Sequence, residues 1–228
     1  MRILTALALS GALFLPMAAV AADPAGTITV TGSATVNVVP DMATLTLGVT
    51  TMGDTAAEAM KANNDAVSAV IARLIAAKVA DRDMQTSSLQ INPNWVGKPD
   101  GSGQEIKGYV ASNQLTVRVR ALDTTGGVLD AAIEDGANTL NGLSFGLADP
   151  RPQEDEARRK AVEDATARAK LLAGAAGAKL GPIVSITEGG GAMPYPAPTF
   201  FKADAAVPIA AGEVGISASV TVVWQLAQ

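Results

Sequence analysis

Neither cysteine nor histidine occurs anywhere in this 228-residue chain, and that double absence constrains its folding and chemistry more than any motif it carries. Without cysteine there is no disulfide, so the fold must be held by its apolar core alone. Without either residue there is no Cys nucleophile, no Ser-His-Asp triad, no His-borne proton transfer and no zinc site built on those ligands. No metal or cofactor site is expected. Any chemistry would fall to carboxylates, Ser, Lys or Tyr.

The missing disulfides matter because the chain opens like an exported protein. Met1-Arg2 is a short positive start, Ile3 to Val20 is almost wholly apolar, and Ala19-Val20-Ala21-Ala22 places small residues just before Asp23. These are the three parts of a secretory signal peptide. Residues 1–22 are expected to be removed and the mature chain to reside in the periplasm. Pro16 inside a barely long enough apolar run argues against a retained anchor, so no transmembrane span is expected in the mature chain. Removing 22 residues from 228 leaves 206, enough for one generous domain with a real core. Losing Arg2 moves the net charge from −5 to −6. An acidic chain of this kind argues against a nucleic-acid partner and against adhesion to anionic lipid.

Period-two alternation over Thr27–Val38, a break at Val39-Pro40-Asp41 and a second alternating run over Ala43–Thr50 predict two strands closed as a hairpin. Asp54 or Thr55 starts a helix running to about Ala77, with Glu58 placed to complete a capping box with Thr55. Its apolar face is Met60, Val67, Val70, Ile71, Leu74 and Ile75, interrupted by Asn64. A strand over Met84–Trp95 carries Leu89 and Ile91 on one face. Asn92–Gly108 reads as a loop rich in Gly, Pro and Asp. Tyr109–Ala121 reads as a strand whose Arg118 and Arg120 share a face, either solvated or able to bind an anion.

A short helix from Thr124 or Thr125 passes through Leu129, Ile133 and Ala137, and Leu140–Leu147 reads as a short strand. The clearest helix is Pro152 to about Ala176. Glu154, Asp155 and Glu156 suit its positive end, and Glu154/Arg158, Asp155/Arg159, Glu156/Lys160 and Asp164/Arg168 stand four apart in the stabilising order. Its opposite stripe, Ala157, Ala161, Ala165, Ala169, Leu172 and Ala176, is small enough to lie close on a sheet. Ile183–Thr187 and Val214–Leu226 are strands. Between them Gly189–Gly212 is a long loop with Pro194, Pro196, Pro198 and Pro208.

The order is β-β-α-β-β-α-β-α-β-β. This predicts an α+β fold, largely antiparallel sheet with helices packed on one side. The succession helix, strand, long loop, strand occurs at 54–121 and again at 152–226, a possible weak internal repeat.

Several pieces in fixed order resemble the SIMPL-domain family, bacterial envelope proteins that include periplasmic immunogenic and outer-membrane-associated antigens. They are Val30-Thr31-Gly32-Ser33, Val39-Pro40-Asp41-Met42-Ala43, Gly53-Asp54-Thr55-Ala56-Ala57-Glu58-Ala59, Asn63-Asn64, Gln85-Thr86-Ser87-Ser88-Leu89-Gln90-Ile91-Asn92-Pro93, Gly108-Tyr109-Val110-Ala111-Ser112-Asn113 and Ala157-Arg158-Arg159-Lys160-Ala161. They span nearly the whole of 23–228. The resemblance implies an exported protein without an established activity or catalytic residues, with links in the family to oxidative-stress tolerance, self-assembly and association with the outer membrane. Gly32 and Gly108 read as points of close backbone approach or bulges, and Asn113 as a partner for backbone groups.

The favoured function is therefore a non-enzymatic envelope protein acting through a homo-oligomer or an envelope partner, with a link to stress tolerance implied by the resemblance. Its candidate interaction residues are Tyr195, Phe200, Phe201, Val207 and Ile209, because a loop on a solitary monomer should be polar. The alternatives are a periplasmic small-ligand-binding protein and a hydrolase using Ser-Lys or carboxylate chemistry. The chain has no S-x-x-K spacing to support the last.

Overall fold

The computed structural model describes residues 26–189, 195–197 and 209–227. The signal-peptide reading and Phe200, Phe201 and Val207 lie outside them. The elements run β1 (Thr27–Val38), β2 (Met42–Gly53), α1 (Ala56–Ala76), β3 (Met84–Gly97), β4 (Gln104–Val119), α2 (Thr125–Glu134), β5 (Thr139–Gly146), α3 (Arg151–Ala175), β6 (Lys179–Glu188), β7 (Tyr195–Ala197) and β8 (Glu213–Ala227). This is the expected α+β order with one short strand, β7, added inside the long loop.

The strands form two antiparallel sheets, β3-β4-β2-β5 and β6-β8-β1, with β7 also paired to β8. The expected β1–β2 hairpin is therefore wrong. β1 pairs along its whole length with β8, from Thr27 opposite Gln225 to Val38 opposite Val214, whereas β2 lies between β4 and β5. The turn at Pro40-Asp41 hands the chain from one sheet to the other. Asp41 anchors it to the end of β5: its N–H donates to the Gly146 carbonyl at 3.1 Å, and its carboxylate accepts from the Ala148 N–H at 2.6 Å. Proline and aspartate specify a reversal, but not which strand receives the chain.

Each sheet turns one face to helix. Ala43, Leu45, Leu47 and Val49 of β2 and Leu115, Val117 and Val119 of β4 are buried against Val70 and Leu74 of α1 and Val128, Leu129 and Ala132 of α2. Full burial of a Leu or Val side chain contributes roughly 1.5–3 kcal/mol, so the period-two and period-3.6 patterns meet where the energy lies. The second core is separate: Val30, Val220, Val222 and Trp224 under Ala161, Ala165 and Ala169 of α3. Both sheets are wound alike. A helix leads to an outer strand and then to a central one, giving β3-β4-β2 and β6-β8-β1.

Thr55 caps α1 as expected. Its side chain accepts from the Glu58 N–H, and Glu58 accepts in turn from the Thr55 N–H. The expected loop Asn92–Gly108 is mostly strand, since β3 and β4 continue as a ribbon with Trp95 opposite Ile106 and Val96 opposite Glu105. Pro93 misleads a reading for loops because β3 is an outer strand, where a missing N–H is tolerated, and the register shifts between Pro93 and Trp95. The buried stripe of α3 ends at Ala173. Leu172 is turned outward.

Candidate functional site

The outer strands β1, β3 and β6 are not finished alike, and that difference locates the candidate surface. On β1 the unpaired backbone is covered by α3: the Ser33 N–H donates to the Asp164 carboxylate at 3.0 Å, and the Arg168 guanidinium donates to the Thr31 carbonyl at 2.8 Å. Gly32 makes this possible. A β-carbon there would stand 2.7 Å from the Ala165 methyl and closer still to the Ala161 carbonyl oxygen and the Ala165 nitrogen. The Val30-Thr31-Gly32-Ser33 motif is thus a helix seat, and Asp164–Arg168 shields an edge that would otherwise invite pairing.

The outer strand β6 has the opposite character. Ile183 stands opposite Trp224 and Ile186 opposite Val222, so both share the helix face of their sheet. Yet they are 52% and 55% exposed, because α3 packs chiefly over β1 and β8. Strand β3 repeats the arrangement: Leu89 and Ile91 lie opposite Asn113 and Ala111 and remain exposed, because α1 packs over β2 and β4. The cross-strand pair Trp95 and Ile106 is exposed as well. Among the described residues, each sheet therefore leaves an apolar outer strand bare.

Of the sequence-derived candidates, Tyr195 lies in β7 with its backbone opposite Gly215. β7 occupies the side of β8 left free of β1, in line with β6. Ile209 is half-buried. The bare strands β3 and β6 themselves escaped attention, although Leu89, Ile91, Ile183 and Ile186 were each visible as strand apolars. Their exposure depends on where the helices stop.

The acidic opening of α3 is a helix face. Glu154 and Asp155 both pair with Arg158, at 3.5 and 2.9 Å, and Arg158 also reaches Glu188 of β6 at 2.7 Å. Glu156 pairs with Arg159 at 2.6 Å and with Lys160 at 3.5 Å. The expected Asp155/Arg159 pair is replaced by these three-residue spacings. One further spacing, Gly142-Leu143-Ser144-Phe145-Gly146, matches the G-x-S-x-G of a nucleophile elbow. It lies inside strand β5 with Ser144 opposite Thr44, not at the strand-to-helix turn such an elbow requires, and the chain has no histidine to serve it.

The buried amide of α1 is Asn63, not Asn64, which is exposed. The Asn63 Nδ2 donates to the carbonyls of Val49 at 2.8 Å and Ala111 at 3.2 Å, tying α1 to β2 and β4. Asn113 is a buried residue of β4 in that sheet, and its Oδ1 has no donor among the described residues. Gly108 has φ +83, and a β-carbon there would meet the Gly53 carbonyl, so close approach accounts for it.

Arg118 and Arg120 border a cleft of about 350 Å³ with Lys78, Arg82 and Asp83. Asp83 is buried and accepts two hydrogen bonds from Arg120, 2.8 Å from Nε and 2.7 Å from Nη2. That fork holds the Asp83 carboxyl below the ordinary carboxylate range against the opposing effect of burial.

Residues 28–224 match the family model SIMPL, described as a protein of unknown function (DUF541), and the chain belongs to that family. It is 40% identical over 210 residues to the 26 kDa periplasmic immunogenic protein of Brucella melitensis, covering 87% of this chain and 84% of the relative. It is 34% identical over 187 residues to the uncharacterized protein YggE of Escherichia coli K12, covering 82% and 75%. Its identity to the YggE of Edwardsiella ictaluri is 32% over 159 residues, covering 70% and 66%.

Proposed function

We propose that this protein is an exported, non-enzymatic periplasmic protein that works by associating with further copies of itself through its open strand edges. The observation that carries the reading is the contrast between β1, whose edge α3 shields, and β6, whose Ile183, Val184 and Ile186 are more than half exposed on an edge that no strand among the described residues pairs. An outer strand of this length and apolarity is a template for strand addition. The segment carrying Tyr195, Phe200, Phe201, Val207 and Ile209 follows directly from β6, and its aromatic residues belong to the same proposed contact. Residues 1–22 act as the export signal, a reading supported by the periplasmic name of the Brucella relative.

Burying each of these apolar side chains between copies would contribute on the order of 1–3 kcal/mol, so a few suffice to decide assembly. Two differently tagged copies exported by the same cell test this. Each should recover the other, and Ile183→Lys with Ile186→Lys should abolish the recovery. Copies that never recover one another would overturn it.

A further inference from the structure

The cleft beside Asp83 carries a second inference, independent of assembly. Its wall gathers Lys78 from the turn after α1, Arg82 from the short turn before β3, and Arg118 and Arg120 from the end of β4, against the single carboxylate of Asp83. Four cations converge on one space in a chain whose net charge is −5. Solvated surface charges are ordinarily interspersed with opposite ones. Here Asp83 is committed to Arg120 at 2.7 Å and stands 4.0 Å from Arg82. Neither Lys78 nor Arg118 takes part in an ion pair among the described residues.

The geometry points to a binding site for a phosphoryl group carried on a compact apolar body. Arg120 spends two of its five N–H donors on Asp83 and is oriented by them, leaving the rest for a ligand. Arginine forks match phosphate oxygens, and the excess of positive charge among the lining residues, partly offset by Asp41 acting on Arg120 from nearby, suits a dianion. Three of the carbonyls that end α1 do not compete, because the N–H groups of Ala77, Lys78 and Val79 already satisfy those of Arg73, Ile75 and Leu74. Val79, Val119 and Val128 supply an apolar wall, and the volume lies in the range of small-ligand sites. Lys78 is also the one non-glycine residue with positive φ among those described, at +66. Glycine would hold that backbone more comfortably, yet a lysine stands there, facing the cleft.

The phosphoryl group could arrive on a soluble phosphomonoester or on a lipid headgroup, and two arms separate these. In the first, the purified protein is titrated calorimetrically with phenyl phosphate and with inorganic phosphate. In the second, it is sedimented with phosphatidylcholine vesicles with and without phosphatidic acid. The variant Lys78→Gly with Arg118→Gln removes two cations, leaves the Asp83–Arg120 pair intact and relaxes the backbone at position 78. Lys170→Gln on the exposed side of α3 is the control. The site predicts binding by wild type and control that falls at least tenfold in the double variant. Saturable phenyl phosphate binding assigns the soluble source. Sedimentation with phosphatidic acid alone, lost in the double variant, assigns the headgroup. No binding in either arm, or equal binding by the double variant, overturns the site.

Discussion

Replacing Gly32 by alanine should unseat α3. The new methyl would stand 2.7 Å from the Ala165 methyl, where ordinary contact begins near 3.4 Å, and the nearer obstacles are backbone atoms of Ala161 and Ala165 that no rotamer change can move aside. With the nearest of them, the Ala161 carbonyl oxygen, closer still, the helix must lift by about 1 Å. A gap of that size forfeits roughly a quarter to a half of the dispersion energy of each contact it opens. Those contacts include the alanine stripe, which is the only helix cover over the second core among the described residues. Overpacking costs about 1–3 kcal/mol, and a backbone obstacle puts this site near 3 kcal/mol, or about 6–12 °C in Tm for a chain of this size. Thermal unfolding followed by circular dichroism measures it. The comparison is Gly174→Ala in the same helix, where an added β-carbon meets nothing within 4 Å. There the helix preference of alanine should raise Tm by about 1–4 °C. A Gly32→Ala chain as stable as wild type would refute the seat.

Two further substitutions follow from local chemistry. Thr55→Ala removes the acceptor for the Glu58 N–H and should cost about 1 kcal/mol, or about 2–4 °C in Tm. Asp83→Ala tests the pair with Arg120 through pH. Because folding lowers the Asp83 pKa, its stabilisation is fully present above the unfolded value of about 3.9 and is lost as pH falls through the folded value. The urea midpoints of wild type and Asp83→Ala should therefore differ at neutral pH and converge below about pH 4. A difference that persists unchanged in acid would place the effect of Asp83 in packing alone.

Much of this fold could be read from residue order because local pattern and tertiary role agree. The alternation Ala43, Leu45, Leu47, Val49 faces helix, Thr55 and Glu58 cap α1, and the alanines of α3 meet the sheet at Gly32. What escaped was long-range. Nothing in Val39-Pro40-Asp41 says that β1 must find β8, the last strand of the chain, and adjacency in sequence favours the hairpin. The extension of the β3–β4 ribbon was masked by Pro93 and by the glycines of its tip. Asn64 reads as the polar break in the apolar face of α1, whereas the amide that is buried is its neighbour Asn63, because two adjacent asparagines differ only in helical phase. The bare apolar strands were hidden for a related reason. Leu89 and Ile183 are ordinary strand residues until the helices are seen to stop short of them.

Light scattering on the purified mature protein tests the central claim most directly. The account predicts a particle mass that is a multiple of the single chain, falling to one chain when Ile183 and Ile186 are both replaced by lysine with the circular dichroism spectrum unchanged. A wild-type protein that keeps the mass of a single chain as its concentration is raised would contradict it.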